Sequence, residues 1–210
     1  MKGFFRYDGY LWKIMTVIMY VVGLNLLFLL CCVPILTIGA SNTAMYAVLL
    51  RYQQGEEPDI LRGFFRAFRD NFGKSTLIWI LMLILAGTLG LNYYFLHQNQ
   101  IPAAAWIRVL LNLILIALIV LWVYVFPAIA CFENSVKGYL VYCISLAAAK
   151  LPATILLLLI QTLPLLTLLF LAQYLPPAVL LLICCGGTLP AWFSGRVLLR
   201  LFGLDGEGAS

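Results

Sequence analysis

RYQQGEEPDILRGFFRAFRDNFGK, residues 51–74, is the charged stretch from which the rest of the chain is read. It holds five basic residues (Arg51, Arg62, Arg66, Arg69, Lys74) and four acidic ones (Glu56, Glu57, Asp59, Asp70). Before it, no residue from Ile14 to Leu50 carries a charge. Within it, Ile60, Leu61, Phe64, Phe65, Phe68 and Phe72 recur at three- and four-residue spacing, and Arg62, Arg66 and Arg69 fall on another side of the same helix. Such a helix suits a membrane surface, with its rings in the lipid and its guanidinium groups at the headgroups. Glu56, Glu57 and Asp59 around Pro58 suit its start, because anions are favoured at the positive end of the helix dipole. The alternative is a solvated charged loop. Under either reading the stretch belongs in the cytoplasm and orients everything else.

The composition excludes a soluble domain. Hydrophobic residues make up 64% of the 210 and charged residues only 10%, with mean hydropathy +1.04. A soluble domain carries roughly a quarter charged residues, enough to cover its surface for water. The apolar runs are long and do not alternate, which favours membrane helices over a β-barrel. Net charge is +5, but the basic residues sit at the edges of apolar runs without a recognition module, so no nucleic-acid partner is expected. Cys31, Cys32, Cys131, Cys143, Cys184 and Cys185 all lie in apolar runs, and His97 is the only histidine. Their spacing matches no zinc site, and they read as small polarizable packing residues. The basic, then apolar, amino-terminal stretch is too long for a secretory signal, so the first helix is expected to be retained.

These features predict an all-α fold, a polytopic membrane helical bundle forming a single domain over 1–210. About six spans are expected, near 11–33, 41–52, 75–96, 107–130, 151–173 and 178–198. Pro34 and Gly39 divide the first two, and the second is so short that it either crosses or re-enters. Ser75 and Thr76 open the third, and HQNQIP, residues 97–102, makes an external loop. Tyr174-Leu175-Pro176-Pro177 forces the turn between the last two. Segments 53–74, with the amphipathic helix, and 132–150 are expected to be cytoplasmic. With both termini inside, all the basic residues but Arg108 fall on the cytoplasmic side, as the positive-inside rule asks.

Three stretches together resemble the YesL-like family of bacterial integral membrane proteins, whose domain is of unknown function (number 624). They are VPILTIGASNTAMY at 33–46, GEEPDILRGFFRAFRDNF at 55–72 and FPAIACFENSVKGYLVYCISLAAAKLP at 126–152. The resemblance implies a multi-span protein of the bacterial cytoplasmic membrane, in Gram-positive-type bacteria, often encoded beside carbohydrate ABC-transporter and glycoside-hydrolase genes. It supplies no established catalytic residue.

The residues themselves offer no catalytic constellation. There is no H-E-x-x-H, P-loop or G-x-S-x-G pattern, and one histidine does not make a base with a nucleophile. A non-enzyme without a cofactor is the expectation. Arg62, Phe65, Arg66, Phe68 and Arg69 are the candidate surface for lipid or a partner protein. Asn25, Asn42, Asn112, Glu133 and Asn134 are the candidate polar contacts of the bundle, with Ser41, Thr43 and Gln161 also placed within spans. Glu133 either pairs with an arginine of the 62–69 face or stays solvated at the headgroups. The expected function is an accessory or regulatory partner of a carbohydrate uptake system, an ABC importer, docked on its permease. The alternative is a small transporter or channel subunit with its own substrate path. A polar cavity at mid-membrane favours the alternative, and a sealed apolar interior the accessory role.

Overall fold

The computed structural model describes residues 10–56, 59–98, 104–172 and 186–204. Among them are seven α-helices and no strand: α1 Tyr10–Cys32, α2 Ile38–Gln53, α3 Ile60–Gln98, α4 Ala104–Cys131, α5 Val136–Ala149, α6 Leu151–Ala172 and α7 Thr188–Phe202. A single 3-10 turn, Ile35–Thr37, precedes α2.

The centre of the bundle is α2, packed against α1, α3, α4 and α7. Every residue from Gly39 to Tyr46 is buried. The sequence reason is the run GASNTA. In lipid no hydrophobic force drives helices together, so small side chains that allow close van der Waals approach do the work. Gly39 marks the nearest point: a Cβ there would lie 2.6 Å from Trp79 Cβ and 2.7 Å from the Ser75 carbonyl. One turn on, the Thr43 and Ser75 hydroxyls hydrogen-bond at 2.9 Å.

Where α1 ends before Pro34, its last carbonyls need donors that a bilayer core does not supply. Hydroxyls from the next segment provide them. Thr37 Oγ1 donates to the Cys31 carbonyl at 2.6 Å, and Ser41 Oγ donates to the Phe28 carbonyl at 2.9 Å.

Three helices are long and apolar enough to cross a membrane, over Met15–Cys32, Ile60–Leu96 and Trp106–Cys131. Counting the bent pair Val136–Ala149 and Leu151–Leu163, which meet at 105°, as one span makes four. Three to four such spans among the described residues is fewer than the six expected. The 16 residues of α2 reach about 24 Å, short of a hydrocarbon core of about 30 Å.

Two boundaries differ from expectation. Residues 60–74 are not a separate surface helix, because α3 runs through them unbroken for 39 residues. Ser75 does not cap a new helix; its hydroxyl is turned to Thr43 and its side chain is buried. Gly73 alone is too weak a breaker, costing only about 1 kcal/mol relative to alanine. At the other end, a turn at Gly186 and Gly187 interrupts the expected span 178–198, and α7 starts at Thr188; the expected start near residue 178 lies outside the described residues. The Tyr174–Pro177 turn, Cys184 and Cys185 lie outside the described residues, as do Lys2, Arg6, Asp8, Glu57, Pro58 and Asp205.

Candidate functional site

Two places carry polar chemistry. The first is the amino-terminal half of α3. Phe64 is fully buried and stacks on Phe68, centroids 6.2 Å apart, while Phe68 meets Phe72 at 5.5 Å. This i, i+4 ladder holds α3 against the bundle, so Phe68 is a packing residue and Phe65, 49% exposed, is the ring that faces outward. The arginines stand clear. The side chains of Arg62 and Arg69 are 91% and 88% exposed, with loose partners in Asp59 at 3.6 Å and Asp70 at 4.0 Å. Pairs so exposed contribute little to stability. Arg66 lines a shallow hollow with Arg51, Asp70 and Asn71, between α2, α3 and the end of α4.

The second place is a cavity of about 310 Å³ lined by residues of α1, α2, α4, α6 and α7, Asn42, Tyr46, Trp122 and Gln161 among them. Gln161 lies about 15 Å along α6 from Leu151, and Trp122 about 14 Å along α4 from Cys131, so the cavity lies well away from those helix ends. Gln161 Nε2 donates to Tyr46 Oη at 2.7 Å. Tyr46 Oη is 3.3 Å from Ser194 Oγ, which in turn donates to the Ala191 carbonyl at 3.1 Å. The consistent proton order is therefore Gln161 to Tyr46 to Ser194 to Ala191.

The candidate polar contacts separate into distinct roles. Asn25, fully buried, accepts at Oδ1 from the backbone N–H groups of Gly187 and Thr188. Asn112 accepts from the Tyr93 hydroxyl and ties α4 to α3. Asn42 lines the cavity, and its side chain makes no hydrogen bond among the described residues. Glu133 is exposed and makes no ion pair among the described residues, so the pairing with the 62–69 arginines is not formed. The Asn134 N–H donates to Tyr139 Oη at 2.9 Å, and that hydroxyl donates to the Phe132 carbonyl at 2.6 Å. Tyr139 thus fixes the turn between α4 and α5, at whose end Ser135 caps α5 by accepting from Gly138 N–H.

Sequence reading missed Tyr46, Trp122 and Ser194 as cavity or network residues. Nothing in their spacing marks them, since a tyrosine or tryptophan in an apolar run ordinarily reads as packing. No group of three or more metal-ligating side chains occurs among the described residues.

The fold defines an all-helical protein whose several long apolar helices belong in a membrane. A family model described as protein of unknown function, DUF624, matches residues 10–93, and over that stretch the chain is similar to the family. The match takes in the motifs at 33–46 and 55–72; the third, at 126–152, lies beyond it. No curated protein and no solved structure matches the chain.

Proposed function

We propose that this protein is a non-catalytic component of the bacterial cytoplasmic membrane that acts as an accessory or regulatory partner of a carbohydrate ABC importer, docking on its permease. The observation that carries the reading is the length of α3. At 39 residues it extends about 58 Å, nearly twice a hydrocarbon core of about 30 Å. Its first turns therefore extend past the lipid, with Arg62, Arg66 and Arg69 free to meet a partner. The charge distribution supports an arrangement with both termini cytoplasmic and six crossings, α2 and the last being short ones. The class of partner follows from the gene neighbours of the family the chain resembles.

Co-purification in mild detergent from cells grown on a polysaccharide tests this. An importer permease should be recovered with the wild type and lost with the triple change Arg62→Glu, Arg66→Glu, Arg69→Glu. Equal recovery with the triple variant removes the docking surface from the reading.

A second reading, a subunit with its own substrate path, is favoured by the cavity at Asn42, Tyr46 and Gln161. Solute uptake by proteoliposomes containing this protein alone would support it; their remaining tight to every solute tried alongside a recovered permease returns the choice to docking.

A further inference from the structure

Asn42 is only 6% exposed, lines the cavity and makes no hydrogen bond among the described residues; elsewhere Gln53 Oε1 and Thr76 Oγ1 are also buried without a partner among the described residues, but neither residue lines this cavity. An amide buried without partners is costly, and more so where lipid replaces water outside. Its position on the cavity wall resolves this, because a ligand seated there would meet it. We propose that the cavity is a binding site for a small uncharged ligand carrying neighbouring hydroxyl groups.

The class follows from the wall. None of its lining residues is charged among the described residues, so an ionic ligand would be desolvated without a counter-charge from them. The Gln161 N–H is already committed to Tyr46, which leaves Gln161 Oε1 as an acceptor without a partner among the described residues. Asn42 adds an acceptor in Oδ1 and donors in Nδ2. Two acceptors and a donor ask for a ligand that donates twice and accepts once, which two adjacent hydroxyls do. The remainder of the wall is apolar, including Phe28, Met45 and Trp122, and it suits the C–H face of the same molecule. A volume of about 310 Å³ equals the share of roughly ten liquid waters, enough for a polyol or a glycerol headgroup. Leu29, also on the wall, is 37% exposed at the outer surface of α1, so the site lies close to the lipid. The same diol chemistry therefore reaches it from two sources, a free polyol or a monoacylglycerol. The proposal does not rest on the docking reading and requires no transport.

The full chain in nanodiscs tests it in two arms, equilibrium binding of radiolabelled sorbitol and native mass spectrometry after incubation with monooleoylglycerol. Saturable sorbitol binding, weakened at least tenfold by Asn42→Leu and by Gln161→Leu, assigns a free polyol. Retained monooleoylglycerol that both variants lose, without sorbitol binding, assigns the lipid source. Gluconate, the charged counterpart of sorbitol, should not compete, and competition as strong as unlabelled sorbitol would overturn the uncharged class. Neither ligand bound by the wild type, or binding unchanged in both variants, means that the cavity holds water only and the proposal fails. Asn42→Leu is near in size and removes an unpartnered amide, so it should fold; Gln161→Leu provides an independent variant on another helix.

Discussion

Asn25 Oδ1 accepts from the backbone N–H of Thr188 at 3.1 Å, and from that of Gly187 at 3.0 Å. The side chain of the first helix thereby caps the last one. A second bond fastens the same junction, from Thr188 Oγ1 to the Val21 carbonyl at 2.9 Å. Helix α7 begins beside the middle of α1, where neither water nor headgroup is on hand to satisfy its free N–H groups. The contact satisfies two of the free N–H groups at the start of that helix.

Replacing Asn25 with leucine keeps the volume and removes the acceptor. Losing the cap should destabilise the protein by about 2–4 kcal/mol, from two orphaned donors at about 1–3 kcal/mol each, less some relaxation. Thermal unfolding in detergent would read it. A melting temperature equal to the wild type would mean that the cap is dispensable.

Gly39 and Gly90 give a matched pair. A methyl at Gly39 meets Trp79 Cβ and the Ser75 backbone, which cannot step aside without parting α2 from α3; at Gly90 it meets nothing within 4 Å. Gly39→Ala should cost about 1–3 kcal/mol through overpacking. Gly90→Ala should be neutral or stabilising by up to about 1 kcal/mol. Equal effects would contradict the close approach of the two helices.

At the turn after α4, the neighbouring Glu133 and Tyr139 should behave oppositely. Glu133→Gln should change stability by less than about 0.5 kcal/mol, since the carboxylate is exposed and makes no ion pair among the described residues. Tyr139→Phe should cost about 1–2 kcal/mol, because its hydroxyl makes two part-buried hydrogen bonds, to the Phe132 carbonyl and from the Asn134 N–H. Urea or thermal unfolding of the two variants side by side decides, and a larger loss in the glutamate variant would reverse the assignment.

Orientation can be read by single-cysteine labelling in a chain whose native cysteines are replaced by serine or alanine. Arg62→Cys should react with a membrane-impermeant maleimide in inside-out vesicles only, and Arg108→Cys in intact spheroplasts only. The reverse pattern would put the arginine end of α3 outside and end the docking proposal in its present form.

Much of the architecture was legible from particular residues. Uncharged runs such as 14–50 require burial in lipid, and a backbone in lipid must satisfy itself as helix. Helix α1 ends two residues before Pro34, and α5 lies within the 132–150 segment, with Ser135 at its start. Asn25 bonds to the start of α7 and Asn112 to Tyr93 on α3, and a polar side chain in an apolar run is the signal that such a partner is needed. Which partner was not legible: Asn25 reaches across 163 positions to Thr188. Tyr46 escaped notice for the same reason, since its role depends on Gln161 and Ser194 arriving from α6 and α7.

The sequence by itself determined the class of protein, the all-helical content and the asymmetry of charge, because each follows from local composition and the cost of leaving charge or backbone groups unsatisfied in lipid. Tertiary structure alone decided that residues 60–98 form one helix, that α2 is the buried axis, and that Asn42 faces a cavity while Asn25 caps a helix. These outcomes depend on which surfaces fit together at a distance. Ser75 looks like a helix start until Thr43 lies beside it, and no local pattern encodes that meeting.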